Sequence, residues 1–388
     1  MEHESSQRQL KRINESIVLH AIRQKAPISR AALASYTGLS PQTLTNVVRR
    51  FLVDGFLVES GTEESGGRGR SRVRLELYAD GAYAIGFCME RDSLSMGLVD
   101  LKGRVLDYKC ESIEVMESPQ QTMKRMTAYA SSILQGDGYA PIRSRIIGIG
   151  VGTPGPIDYD KGEVVSPPNY EAWARIPIRS FLHEELGCPV VIDNSSTVAA
   201  IGEHWAGRWG TDSFLYCYWG MGIGGGLIAA DKVYRGQSGN AIELGHIVVE
   251  SRGRACQCGG QGCLEAYASI PALLREASAY GEFRDFGQLL KAAEPGTVLR
   301  EILDRAAEYM AQAMVTAINL LDVDFIVLGG DHVHLAAEIF LPVMKRRIAE
   351  QPLRAKVAAA RVGVSSLKQE AGVIGAASLV FHELLLGQ

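Results

Sequence analysis

The chain has 388 residues, 46% hydrophobic and 22% charged, which fits a soluble globular protein and is more than one core usually holds. Its formal net charge of -4 argues against indiscriminate nucleic-acid binding. No run of eighteen apolar residues exists and the start, M-E-H-E-S-S-Q-R-Q, lacks the apolar stretch of a signal peptide, so a cytoplasmic protein without a membrane segment is expected. The charge is unevenly spread: residues 1–75 hold twelve Lys/Arg against seven Asp/Glu, net +5, and residues 76–388 carry 28 basic and 37 acidic side chains, net -9. A basic head on an acidic body directs an anionic partner to the head alone.

Residues 8–24 place Leu10, Ile13, Ile17 and Ile22 near helical spacing and predict a first helix. Pro27 breaks it, Ser29 can cap a short second helix, and Gly38 ends that one. Ser40 is then an N-cap and Pro41 a first helical residue for a third helix running to Gly55, so that two short helices hinged at a glycine form a helix-turn-helix. In the third helix Leu44, Val47, Val48 and Phe51 or Leu52 would face the core. Gln42, Thr43, Thr45, Asn46 and Arg49 would face outwards, and such side chains reach base edges in a major groove. F-L-V-E-S and R-V-R-L-E-L read as two strands around a glycine-rich wing, whose Arg68, Arg70 and Arg72 suit phosphates or a narrow minor groove. A solvated protein-protein module would account for the charged loop; helix spacing, polar face and basic wing together point to duplex DNA.

From Tyr78 onwards strands and helices alternate. Three strands in a meander, with a turn at Lys102-Gly103, precede a helix around 119–135 and the apolar strand R-I-I-G-I-G-V-G. A helix near 177–187, the strand P-V-V-I-D-N and a helix from Ser196 to about Trp205 follow. A second round opens with F-L-Y-C-Y-W-G-M-G-I-G-G-G-L-I-A-A and closes with D-F-I-V-L-G-G and a small-residue C-terminal helix. Two rounds of mixed sheet plus helices predict an α/β body of two lobes with a cleft between them.

Within the second round His246, Cys256, Cys258 and Cys263 stand at spacing H-x9-C-x-C-x4-C, with glycines 259, 260 and 262 allowing a tight fold between the thiols. Three thiolates and an imidazole complete the tetrahedron of a structural zinc. A disulfide or ordinary core cysteines are the bland alternatives. Glu243 and Glu265 flank the ligands, so one knot would gather two carboxylates and an imidazole. They either touch a ligand such as a sugar, orient the metal ligands, or are solvated.

N-A-I-E-L-G-H together with C-Q-C-G-G-Q-G-C-L-E resembles the signature of the ROK family of sugar kinases and sugar-responsive repressors. T-P-G-P at 153–156, P-N at 168–169, D-N at 193–194 with I-G-E at 201–203, and G-M-G-I-G-G-G at 220–226 fall in that family's order, and the resemblance spans essentially the whole chain. It implies a winged helix-turn-helix (1–78) before a two-lobed actin-like, hexokinase-like α/β domain. The small lobe would take 79–200 with the C-terminal helix 371–388, the large lobe 201–370. It also implies sugar contacts at Asn194, Glu243, His246 and Glu265, with Asn169 and Gly155 as further cleft residues.

The departures separate regulator from kinase. Family kinases carry an Asp-x-Gly-Gly-Thr turn at ATP's phosphates, where this chain has Cys88, Met89, Glu90, Arg91 and Asp92, and Ser195 stands at the position of the general-base aspartate. Serine cannot take a proton from a sugar hydroxyl as aspartate does. The expectation is therefore a non-enzymatic regulator, a repressor or less often an activator, with structural Zn2+ and a sugar or sugar-phosphate effector. It would act on near-palindromic operator DNA as a homodimer or a dimer of dimers. An active ATP-dependent sugar kinase carrying a DNA-binding head is the alternative, and a metal-sensing regulator a third class.

Overall fold

Ser29 and Ser40 cap helices as their positions predict. Ser29 Oγ accepts from the Ala32 N–H at the start of α2 (Arg30–Thr37), and Ser40 Oγ accepts from the Thr43 N–H at the start of α3 (Pro41–Val53). Gly38, at φ 67°, turns the chain between them. The computed structural model describes residues 2–63, 72–113, 117–167, 171–207, 209–350 and 360–386. Leu44, Val47, Val48 and Phe51 form the buried side of α3, each worth about 1.5–3 kcal/mol of burial. Behind it β1 (Ile28–Ser29), β2 (Leu57–Glu63) and β3 (Arg72–Leu77) pair in the order β1-β3-β2.

The first helix, α1 (Glu2–Lys25), is longer than its periodicity predicts, and of the expected stripe only Ile22 is buried. Leu10, Ile13 and Ile17 are 60%, 48% and 38% exposed, whereas Val18, Leu19 and Ala21 join Ile22 in the core. The side that is buried is chosen by the neighbours of the last two turns. These include body residues: Trp205, Val373, Ala377 and Phe381 share one apolar cluster with the head.

The body repeats one sheet. Strands β4 (Tyr83–Met89), β5 (Ser93–Asp100) and β6 (Val105–Ser112) form a meander, β7 (Ile146–Thr153) and β10 (Val190–Asn194) add in parallel, and the order is β10-β7-β4-β5-β6. Strands β11 (Phe214–Trp219), β12 (Ile223–Ala229), β13 (Lys232–Tyr234), β14 (Phe325–Gly329) and β15 (Arg361–Val364) follow the same plan in the order β13-β12-β11-β14-β15. Numbered within its own round, each sheet reads 3-2-1-4-5. A short pair, β8 (Ile157–Asp158) and β9 (Glu163–Val164), lies between them in sequence. Helices α4 (Pro119–Gln135) and α5 (Ile178–Leu186) pack with the first sheet's core, and α8 (Ile270–Ala277), α9 (Phe286–Ala292), α10 (Val298–Leu321) and α11 (Val333–Ala349) with the second's.

Two helices join the halves. The C-terminal α12 (Ala371–Val380) lies across β4 and β7 and against α6 (Ser195–Ala206), which also packs on β11 and β12. The boundary expected at residue 200 therefore falls inside a continuous helix. Past Val380 the C-terminal helix widens into a π-type segment, Phe381–Leu386. No described helix is long and apolar enough to cross a membrane.

Candidate functional site

Three residues after Glu243, the turn Leu244–His246 delivers the imidazole to a loop closed on itself. Val248 bridges Cys263 and Ala255 bridges Gln261, while Cys256 N–H donates to the Gly260 carbonyl at 2.9 Å. A Cβ on Gly262, at φ 76°, would lie 1.8 Å from the Glu250 carbonyl oxygen, so only glycine lets the loop close. The ligand atoms of His246, Cys256, Cys258 and Cys263 all lie within 4.8 Å of one another. Cys256 Sγ stands 3.7 Å from His246 Nδ1 and Cys258 Sγ 3.7 Å from Cys263 Sγ. Bonds of ~2.3 Å to sulfur and ~2.0 Å to nitrogen in a tetrahedron separate ligand atoms by roughly 3.5–3.8 Å, so the cluster fits one metal ion.

With Nδ1 turned to the thiols, His246 also lines a cavity of about 90 Å³ together with Gly155, Asn194, Glu243 and Glu265. Five of the six residues expected at a sugar are thus brought together; the sixth, Asn169, lies outside the described residues. Asn194 caps α6, its Oδ1 accepting the Ser196 N–H at 2.9 Å, and a Cβ on Gly155 would come within 2.8 Å of its Nδ2. Glu265 begins α7 (Glu265–Ala268); its Oε2 accepts the Ile223 N–H at 2.9 Å and its Oε1 the Arg91 Nη2 at 3.0 Å. Glu243 stands exposed at the rim.

On the head, Gln42, Thr45, Asn46 and Arg49 form the exposed side of α3. Thr43 departs from the expectation: it is half-buried and its hydroxyl lies 2.9 Å from Ser40 Oγ, held by the cap. The wing residues Arg68 and Arg70 lie outside the described residues.

A profile described as the ROK family matches residues 86–383, more than three quarters of the chain. The chain belongs to the ROK family. A curated relative named xylose repressor, from Caldicellulosiruptor bescii, is 29% identical over 97% of both chains. A glucokinase from Thermotoga maritima is 30% identical over 76% of this chain and 96% of its own. A crystal structure described as a ROK family transcriptional regulator, homolog of the E. coli MLC protein, superposes with TM-score 0.81 at 26% identity, covering 97% of both chains.

Residues 88–92, which the resemblance aligns with the kinases' phosphate turn, lie at the end of β4 beside the cavity. Glu90 and Arg91 line the cavity beside Ser195. Burial, reinforced by the charge of Asp331, pushes Glu90 up to about 8, so at neutral pH it is chiefly an uncharged acid, hydrogen-bonded to Ser195 and Cys88. Arg91 crosses from the end of the first sheet to the second: besides Glu265 it donates to the Met221 carbonyl at 3.3 Å. Ligand pockets usually run to ~300 Å³ or more, so the cavity of about 90 Å³ that Arg91 helps to line is small.

A second polar cluster, without a signal in the ROK pattern, sits where head meets body. Asp231, in the turn after β12, has Oδ2 3.0 Å from His20 Nε2 of α1 and Oδ1 3.0 Å from His204 Nε2 of α6. Arg23 of α1 donates to the His204 and Trp205 carbonyls and places Nη2 3.1 Å from that same His204 Nε2. These are hydrogen-bond separations, shorter than those of the thiol knot, and a guanidinium beside the imidazole repels a cation. Burial and then Arg23 pull His204 down to about 4, leaving it neutral at physiological pH.

Proposed function

We propose that this ROK protein is a non-catalytic transcriptional regulator, chiefly a repressor, of carbohydrate genes, with a sugar or sugar phosphate as effector. It works in the cytoplasm as a homodimer. Two winged heads face the half-sites of a near-palindromic operator, with Gln42, Thr45, Asn46 and Arg49 at base edges, Thr43 supporting the helix start, and Arg68 and Arg70 on phosphates. The knot of His246, Cys256, Cys258 and Cys263 holds structural Zn2+. Asn194, Glu243, His246 and Glu265, with Gly155 and Asn169, receive the sugar. The observation that supports this reading is that Asn194, Glu243, His246 and Glu265, side chains suited to a sugar's hydroxyls, line one cavity with Glu90, Arg91 and Ser195, none of which can serve as a phosphate turn or as an aspartate base.

A panel of D-xylose, D-glucose, N-acetylglucosamine and their phosphates tests this reading. At least one is expected to raise the melting temperature and shift affinity for a selected operator, without ATP consumption; ATP-dependent phosphorylation of any of them overturns it. Glu243→Gln is expected to weaken binding of that sugar at least about tenfold, since an unmatched buried hydroxyl costs roughly 1–3 kcal/mol, while metal content stays unchanged. Unaltered sugar affinity, measured by calorimetry, would remove Glu243 from the site. Asn46→Ala is expected to cost about 1–3 kcal/mol on the operator and little on random DNA. Equal losses on both duplexes would place Asn46 off the bases.

A further inference from the structure

The charges that line the cavity do not balance. Glu90, Glu243 and Glu265 face it against a single guanidinium, Arg91, and among the described residues no lysine lines it. Arg91 is already committed: its Nη2 lies 3.0 Å from Glu265 Oε1 and its Nη1 donates to the Met221 carbonyl at 3.3 Å. More carboxylate stands behind the wall at the Ser195 end. Asp92, on the same turn as Glu90, and Asp331, between β14 and α11, both act on Glu90 through their charge. The reluctance of Glu90 to ionise, caused first by burial and then by Asp331, reads out the negative potential at that end. The start of α6 would by itself welcome an anion, but Asn194 Oδ1 already takes its Ser196 N–H at 2.9 Å.

We infer that the cavity takes an unphosphorylated sugar and turns away its phosphate ester, with Glu90 as the residue that sets the discrimination. The inference rests on the proposed sugar site and narrows it. In a kinase the general base stands beside the hydroxyl that receives the phosphoryl group. A sugar held by Asn194, Glu243, His246 and Glu265 therefore directs that hydroxyl to Ser195, to which Glu90 is hydrogen-bonded. A free hydroxyl both gives and accepts a hydrogen bond and matches serine and a carboxylic acid alike. A phosphate monoester brings roughly -1.5 to -2 charges to the same place, and to find a cation it has to draw Arg91 from Glu265, leaving that carboxylate unpaired. Like charges this close, with little water between them, repel strongly enough for a preference of about tenfold or more.

The preference has a sign with pH. Around Glu90 stand Arg91 and Asp92 of its own turn, Cys88 of β4, Ser195 of α6, Tyr216 and Tyr218 of β11, and Asp331; burial keeps Cys88 and both tyrosines protonated well above neutrality. A phosphate ester is dianionic from about pH 7 upwards. Glu90 loses its proton as the pH rises through about 8, and its new charge adds to the repulsion, so the ester is held less well above that pH than below it.

Calorimetry on the full chain tests the inference, with D-xylose, D-glucose and N-acetylglucosamine each set against its ester at the terminal hydroxyl, at about pH 7 and about pH 9. For the sugar that binds, the ester is expected to be at least about tenfold weaker at the lower pH, and the ratio to widen at least about threefold more at the higher. In Glu90→Gln, which keeps size and hydrogen bonding, the ratio should be the same at both. An ester that binds as tightly as its sugar, or a parent ratio that stays flat or narrows as pH rises, overturns the inference and leaves the sugar site standing. The same widening in Glu90→Gln also overturns it. The two parent ratios decide the matter even if the variant folds poorly. If no sugar and no ester binds at either pH, the sugar site itself falls, and the inference with it.

Discussion

Cys263→Ser is expected to strip bound metal from the purified protein and to lower its stability by about 4 kcal/mol or more, among the largest losses a single side chain produces. Cys263 is the most enclosed of the three thiols, 3% exposed, and its backbone pairs with Val248, so the sulfur is fixed between the two arms of the loop. Serine offers the metal a harder, poorly matched oxygen. Without the ion, two thiols, a serine hydroxyl and an imidazole remain crowded in a cluster built within 4.8 Å, and the segment from Glu250 to Gly262, short of regular structure, loses its main anchor. His246 then leaves the cavity wall, so sugar binding is expected to fall with the metal. Elemental analysis and thermal melting check this, with Cys217→Ser as control: that thiol is buried in β11, away from the knot, and its loss should leave metal content unchanged. Full metal occupancy in Cys263→Ser would remove the knot as the metal site.

What could be read in advance was what short range dictates. Ser40-Pro41, Gly38 and the alternation of β3 are local devices, and each element appears where its punctuation puts it. The cluster of His246, Cys256, Cys258 and Cys263 is legible because its spacing suits atoms around one ion. What could not be read is assembled across the chain by side chains with no periodicity: Arg91 meets Glu265 from 174 residues away, and Arg23 meets His204 from 181. The misassigned face of α1 has the same origin. Leu10, Ile13 and Ile17 obey helical spacing, yet Val18, Leu19 and Ile22 are the ones buried, in a cluster that joins head residues such as Leu33, Leu44 and Leu75 to Trp205, Val373 and Phe381 of the body. Binary pattern locates an amphipathic helix; only its partners decide which of two apolar stripes is covered. A signal for the junction did exist, in Arg23 and His20 at helical spacing on an otherwise apolar turn, but it pointed equally well to solvent.

Arg91 bonds across the cleft at the position that the resemblance aligns with the kinases' phosphate turn. A glycine pair at that turn would leave room for phosphate; an arginine there fills the room and bonds the opposite half of the body. An ion pair that is partly buried and accessible to a ligand's hydroxyls sits near the balance between Coulombic gain and desolvation, so competition from a sugar for Glu265 can shift it. On the proposed reading, such a bond in place of a catalytic turn makes closure of the cleft an equilibrium, which is what an effector-controlled protein requires.

The contact between α6 and α12 is one that side-chain size alone can break, and Gly375→Ala is expected to do so, with loss of soluble protein or a fall in stability of more than about 4 kcal/mol. A Cβ at 375 would lie 1.8 Å from the Val198 carbonyl oxygen of α6, against backbone that cannot rotate away. One face over, a Cβ on Gly150 of β7 would lie 1.8 Å from the Ala376 carbonyl oxygen, so α12 is pinched between sheet and helix and has no direction of retreat. Separating α6 from α12 by the ~1.5 Å needed for an ordinary contact opens the apolar seam along Val198, Ile201, Ala376 and Leu379, and packed cores tolerate neither overpacking nor voids. The same shift moves His204 and Trp205 from beneath Arg23, so the head's seat on the body is weakened as well. Gly138→Ala is the control: nothing lies within 4 Å of the added carbon, and its effect is expected within about 1 kcal/mol of zero. Wild-type melting of Gly375→Ala would show that α6 and α12 are not in this close contact.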